Sequence, residues 1–306
     1  MANSFSPERP AVRLSGKEVA GLAARVLSAG FLPSGATGAA SEAIEWLELT
    51  EGGALRRLDR QKEELLGARW HAPEVVAEAE DAAVVDARGV PAHFHGAVLA
   101  DWLAAMVQNH GGGAIQAVNV DGPELLAASA YFLAECGISS VVMVAHPDRD
   151  ACARLTLAGV QGWQMARWPD AETARDLAAA VEALRSLRGR VGALRRITGI
   201  CRGIAASAAR GDAQAFAGPR APLPIPPGNA VLAAFGPVGG KDMAERFPSA
   251  AMEAGFEVLS SRDYAALKTR VLAEGWALDR SLWERLMAFA DRALIATSER
   301  SRMGAG

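Results

Sequence analysis

Residues 115–144 decide how this chain is read. They open with Ile115-Gln-Ala-Val-Asn-Val120 and turn at Asp121-Gly-Pro123. A helical stretch from Glu124 to Cys136 follows, and Ile138-Ser-Ser-Val-Val-Met-Val144 closes the segment. Both apolar runs have the length and β-branched content of strands. A third run, Gly162-Trp-Gln-Met-Ala-Arg167, keeps the spacing, so that strand starts recur about every 23 residues. That interval holds one strand, one tight turn and one short helix, which predicts parallel βα repeats. Ile115–Val120 and Ile138–Val144 are then expected as neighbouring parallel strands joined by a right-handed crossover. Such strands are covered on both faces, so Val141, Val142, Met143 and Val144 should all be buried.

On the N-terminal side, Ser15-Gly-Lys-Glu18 is a capping-box pattern, followed by Val19, Leu22, Val26 and Leu27 at helical spacing. Two further helices are predicted from Ala36 to Leu49 and from Ala54 to Leu66. Ala83-Val-Val-Asp86 is a short strand candidate. On the C-terminal side, helices are expected over Asp148–Leu157, Asp170–Leu187 and Val191–Ala209. Gly211 to Gly228 carries five prolines in eighteen residues and reads as a linker or arm. Strands at Ala230–Phe235 and Phe256–Leu259 and helices over Asp263–Ala273 and Ser281–Ala296 complete the chain. The fold class is therefore α/β, with an N-terminal helical cap, a mostly parallel sheet built from short strand–helix units, and C-terminal helices. The expected divisions are a cap over 1–80, an α/β core over 81–210, the arm over 211–229, and 230–306 completing the core.

Composition narrows the function. A chain of 306 residues, half of them hydrophobic, buries a sizeable core without staples. Alanine occurs 65 times, which inflates apparent helicity. The longest charge-free stretch, Ala221 to Gly240, holds Pro222, Pro224, Pro226, Pro227 and Pro237, so no membrane-spanning helix is expected. The first ten residues lack an apolar core of the secretory kind. Cys136, Cys152 and Cys201 are an odd number with no CxxC pair, which suits a cytoplasmic protein with free thiols. A net charge of -3 argues against nucleic-acid binding. A homo-oligomer is expected, as for most metabolic proteins.

Three successive strand ends share one form: Val120-Asp-Gly-Pro123, Ala145-His-Pro-Asp148 and Arg167-Trp-Pro-Asp170. In parallel α/β sheets ligands bind at the carboxyl ends of strands. Asp121 and His146 are therefore the candidate acid/base pair, and Arg167 the candidate anchor for a substrate anion. Ordinary turn chemistry selects the same residue types. His95, from the pair His93-Phe-His95, is a second substrate-binding candidate. That pair lacks the further ligands a metal site needs, so no metal is assigned. Phe235-Gly-Pro-Val-Gly-Gly-Lys-Asp242 resembles a phosphate loop but misses its GxxxxGK[ST] form, and a tight turn accounts for it. Seven arginines and no acid lie between Arg185 and Arg210, whereas Glu42 to Asp81 carries 11 acidic and 5 basic residues. The two stretches suit docking on each other; the arginines alone suit an anion-binding surface.

Two resemblances add to this. Leu14-Ser-Gly-Lys-Glu-Val-Ala-Gly-Leu-Ala23, Glu45-Trp-Leu-Glu48 and the tail Ser298-Glu-Arg-Ser-Arg-Met-Gly-Ala-Gly306 resemble a bacterial domain-of-unknown-function family. More distantly, Ala117-Val-Asn-Val-Asp-Gly122 and Ala134-Glu-Cys-Gly-Ile138 running into Val141-Val-Met-Val144 are similar in order to the type-two malate/L-lactate dehydrogenase family. That resemblance implies an unusual α/β fold that reduces 2-oxo acids and cyclic imines with NAD(P)H. Where that family shows Ser-His-Gly, this chain has Glu51-Gly-Gly-Ala54, and the family's Gly-Thr-Asn-Pro segment has no counterpart. The expected function is a metabolic enzyme on a small anionic compound, reductase-like, with NAD(P) as the implied cofactor. The alternative is a non-catalytic protein derived from such a fold that works through assembly.

Overall fold

The computed structural model describes residues 11–30, 34–67, 72–146, 149–159, 161–168, 172–185, 190–213, 215, 220–222, 224–238 and 242–303. In chain order they form β1 (Ala11–Leu14), α1 (Gly16–Ala29), α2 (Ser34–Thr50), α3 (Ala54–Gly67), β2 (Glu74–Ala79), β3 (Ala82–Asp86), α4 (Gly96–His110), β4 (Gly112–Val118), α5 (Ala128–Glu135), β5 (Ser139–His146), β6 (Arg149–Gly159) and β7 (Gly162–Trp168). Then come β8 (Glu172–Ala174), α6 (Arg175–Glu182), α7 (Arg190–Ala209), β9 (Arg220–Pro222), β10 (Ala230–Phe235), α8 (Met243–Glu253), β11 (Glu257–Ser260), α9 (Ser261–Glu274), β12 (Trp276–Asp279) and α10 (Arg280–Met303). Short 3-10 helices occupy Ala92–Phe94, Pro123–Ala127 and Ala183–Arg185. No helix among the described residues is long and apolar enough to cross a membrane.

The chain divides into two compact units, 1–70 with 265–306, and 71–264. The closing helix α10 thus belongs with the N-terminal helices and not with the core that the sequence assigns it to. In the first unit the capping box forms as expected: Glu18 N–H donates to Ser15 Oγ at 3.3 Å, and Ser15 N–H donates to Glu18 Oε2 at 2.7 Å. These bonds hold the Glu18 carboxyl below its usual range. β1 and β12 pair antiparallel, Leu14 opposite Trp276. Glu48 is buried and fully used: Oε2 accepts from Leu55 N–H at 2.9 Å, and Oε1 accepts from Trp276 Nε1 at 3.2 Å.

The second unit is an eight-stranded sheet in the order β11-β7-β6-β5-β10-β4-β3-β2. The α/β class stands, but the mostly parallel sheet does not. Among its pairings only β3–β4 is parallel, and the other six are antiparallel. β4 and β5 do run in the same direction, but β10 lies between them, antiparallel to both. Equal spacing along the chain therefore did not mean adjacency: the missing neighbour comes from about ninety residues downstream. The helix expected over Asp148–Leu157 is instead β6. Ala153, Leu155 and Leu157 enter the core at a period of two, and pairing on both sides overrides the helical preference of Ala, Arg and Leu.

Val141, Val142, Met143 and Val144 are all buried, as expected for a strand covered on both faces. Met143, Val231, Ala233 and Phe235 pack into one core with Leu194, Ile197 and Cys201 of α7 and Phe247 of α8. α4 and α5 pack against β4 and β5. Gly162 begins β7 just after the β6–β7 turn, with φ of +102°. A Cβ there would sit 2.2 Å from Ser261 Oγ. Gly162→Ala is expected to cost more than about 1 kcal/mol, because it adds a positive-φ penalty to a clash. An unchanged urea midpoint would show that the turn adopts another conformation.

Candidate functional site

The arch that follows β3 and β4 sets the geometry at their carboxyl ends. Asn119 has a φ of +53°, and its Nδ2 donates to both carboxylate oxygens of Asp86 at 3.1 Å. Arg88 N–H also donates to Asp86 Oδ1, at 2.7 Å. Asp121 is held by its backbone: its carbonyl accepts from Ala92 N–H at 2.8 Å and its N–H donates to Val90 O at 3.4 Å. Its side chain is half-buried. Asp121 therefore leaves the sheet on a built support, at the edge the sequence predicts.

His146 ends β5 at the same edge, and its side chain lies outside the described residues. Because β10 intervenes, the ends of β4 and β5 are two strand spacings apart, about 10 Å. The start of β10 fills that gap. Val120 N–H donates to Gly228 O at 2.8 Å, and Ala145 N–H donates to Asn229 O at 3.1 Å. Asp121 and His146 thus flank Gly228–Asn229; they are not side by side.

Arg167 does not join them. It lies level with Arg154 and Val142, inside the sheet, and on the far side of β5 from Asp121. Its guanidinium stands 3.7 Å from Glu257 Oε2 across β7–β11. The expectation that three strand ends converge is corrected here. It rested on three adjacent parallel strands, and β7 is reached through an antiparallel hairpin.

His93 and His95 are placed by a 3-10 turn and not by an extended segment. Both are buried, at 5% and 4% exposure. Both nitrogens of His93 and Nε2 of His95 have no hydrogen-bond partner among the described residues. Burial pushes His93 down to about 3, with His95 beside it adding to the shift, and His95 down to about 4. Both rings are neutral near pH 7, so His95 sits in the interior as an uncharged group. Cys201 is also buried, with its thiol pushed up to about 12, which leaves it inert as a nucleophile. Gly239, Gly240 and Lys241 of the glycine-rich turn lie outside the described residues.

The basic stretch finds partners within the second unit. Arg195 Nε donates to Asp81 Oδ1 at 2.5 Å, the last acid of the acidic segment, and Arg202 donates to the Gly111 carbonyl. Arg190, the first residue of α7, lines a cavity of about 200 Å³ together with Gln116 of β4 and Asn229 at the head of β10. Val181, Ile225 and Val231 are among its apolar walls. The sequence reading passed over Gln116 and Arg190. The signal for Gln116 was present, since it is a polar side chain within a strand covered on both faces. Arg190 carries no such signal, because six other arginines surround it in sequence.

No family model matches the chain, and no curated protein matches it. Solved structures do. Malate dehydrogenase from Pyrococcus horikoshii OT3 is similar at 14% identity and a TM-score of 0.57, over 92% of this chain and 96% of that one. Sulfolactate dehydrogenase from Methanocaldococcus jannaschii is similar at 13% and 0.56, over 92% and 97%. Delta1-piperideine-2-carboxylate reductase from Pseudomonas syringae is similar at 13% and 0.54, over 91% and 99%. A mixed sheet with helices on both faces, matched across nine tenths of each chain, gives this protein the fold of those three proteins.

Proposed function

We propose that this chain is a dehydrogenase-like enzyme that acts on a small organic anion at the carboxyl edge of β4 and β5. One observation carries the reading: its fold matches, nearly end to end, proteins named for malate, sulfolactate and piperideine-2-carboxylate, all small anions. Asp121 and His146 are the acid/base pair in this reading, acting from either side of Gly228–Asn229 on a substrate held between them. It includes the cytoplasmic setting and the self-assembly expected from sequence.

The residues present depart from those that the resemblance implies for an NAD(P)H-dependent enzyme. The turn after α2 offers Glu51, Gly52 and Gly53, the glycines at φ of +75° and +86°. A carboxylate stands where the resemblance implies Ser-His-Gly. Proton transfer next to a carbonyl is the chemistry this chain's own residues support.

The test is deuterium exchange into pyruvate and oxaloacetate, followed by proton NMR, with melting measured beside NADH, NADPH and each acid. Wild-type protein is expected to exchange deuterium well above buffer, and His146→Ala to lose exchange while melting normally. A ligand at 100 times its Kd should add about 2.7 kcal/mol of stability. No exchange, with melting raised by NADH or NADPH, would return the reductase reading. No response to any compound would leave the assembly reading, which the altered Glu51–Gly53 turn favours.

A further inference from the structure

Gln116 is 4% exposed, and its Oε1 has no hydrogen-bond partner among the described residues. Leaving a buried carboxamide oxygen unpaired is costly, on the order of 1–3 kcal/mol, and native proteins rarely accept that without a use for the group. This residue lines the cavity, on the sheet face that Val231 and Ala114 share with α6 and α7. Gln116 therefore borders a space and not only packed side chains.

Two further features fix the chemistry of that space. Arg190 lines it as the first residue of a twenty-residue helix, so a cation and a helix N-terminus coincide there. Arg190 Nε donates to Leu184 O at 3.0 Å, which anchors the guanidinium at the wall. Among the described residues no acidic side chain lines the cavity, and none lies in the first turn of α7. Arg190 favours an anion in this space, and Gln116 calls for a hydrogen-bond donor. The volume, about 200 Å³, suits a compact metabolite.

We infer that this cavity binds a small carboxylate carrying a hydroxyl, its carboxylate toward Arg190 and its hydroxyl donating to Gln116. Asn229 lines the same space, and the apolar walls receive the carbon chain. The site uses neither Asp121 nor His146, so it stands whether or not the proposed acid/base chemistry does.

Isothermal titration and thermal shift with 3-hydroxybutyrate, butyrate and butane-1,3-diol test this. The hydroxy acid is expected to bind wild type at least tenfold more tightly than butyrate, which leaves Gln116 unpaired, and than the diol, which lacks the charge. Gln116→Leu should fold at least as well as wild type and bind the two acids alike. Arg190→Gln should weaken both acids at least tenfold. Failure of 3-hydroxybutyrate, glycolate and lactate alike to bind wild type would overturn the inference. So would hydroxy-acid binding that neither substitution alters. Deuterium exchange into pyruvate should survive Gln116→Leu, so failure of this site and failure of the acid/base reading are distinguishable.

Discussion

A Met143→Asp chain is expected not to fold. Met143 is fully buried at the middle of β5, between Val231 of β10 and Ala153 of β6, on the face packed by α7 and α8. All the neighbours the register gives it are apolar. An unpaired buried charge costs several kcal/mol, which is a large part of the 5–15 kcal/mol that a domain typically has. Val142→Asp, one residue away, should be milder. Val142 is equally buried, but Arg154 stands directly opposite it on β6, and opposed residues share a face. Circular dichroism of the two variants checks both points. If Met143→Asp melts like wild type, β5 is not a central strand. If the two variants lose stability equally, Arg154 does not reach position 142.

Acidification below about pH 6.5 should destabilise the protein through His93 and His95. Burial depresses both, to about 3 and about 4, from the ordinary 6.5. Between those values the unfolded chain binds protons that the folded chain refuses. Stability is therefore complete above about 6.5 and falls as pH drops toward 4 and then 3. Each group contributes up to about 1.4 kcal/mol per pH unit, so a few kcal/mol should be gone by pH 5. Urea denaturation at pH 7.5 and pH 5 measures this. Replacing His93 and His95 together by Leu should flatten that part of the profile, since carboxylates elsewhere are common to both proteins. An equally steep decline in the double variant would show that these imidazoles are hydrated.

Where local physics decides, the residues could be read directly. The Ser15–Glu18 box needs only residues three apart and forms as the pattern demands. The apolar runs at 138–144 and 230–235 are strands because β-branched and apolar side chains buried on both faces favour that geometry. Asp121 and His146 leave their strands at one edge because β4 and β5 do run the same way.

The neighbours of each strand were a different matter. Periodicity says which residues face inward and nothing about which strand lies alongside. β10 enters between β4 and β5 because its side chains complete the cores on both faces, a condition set by elements far away in sequence. The same insertion parts Asp121 from His146 and brings Asn229 to the edge between them. The hairpin through Gly162 then carries Arg167 away to Glu257. The sequence alone determined the class of fold, the inward faces and the polar residues at strand ends. Tertiary structure alone decided strand order, and with it which of those residues share a space. Burial rewards apolar faces one residue at a time, whereas sheet order is settled only when every backbone edge has found its partner.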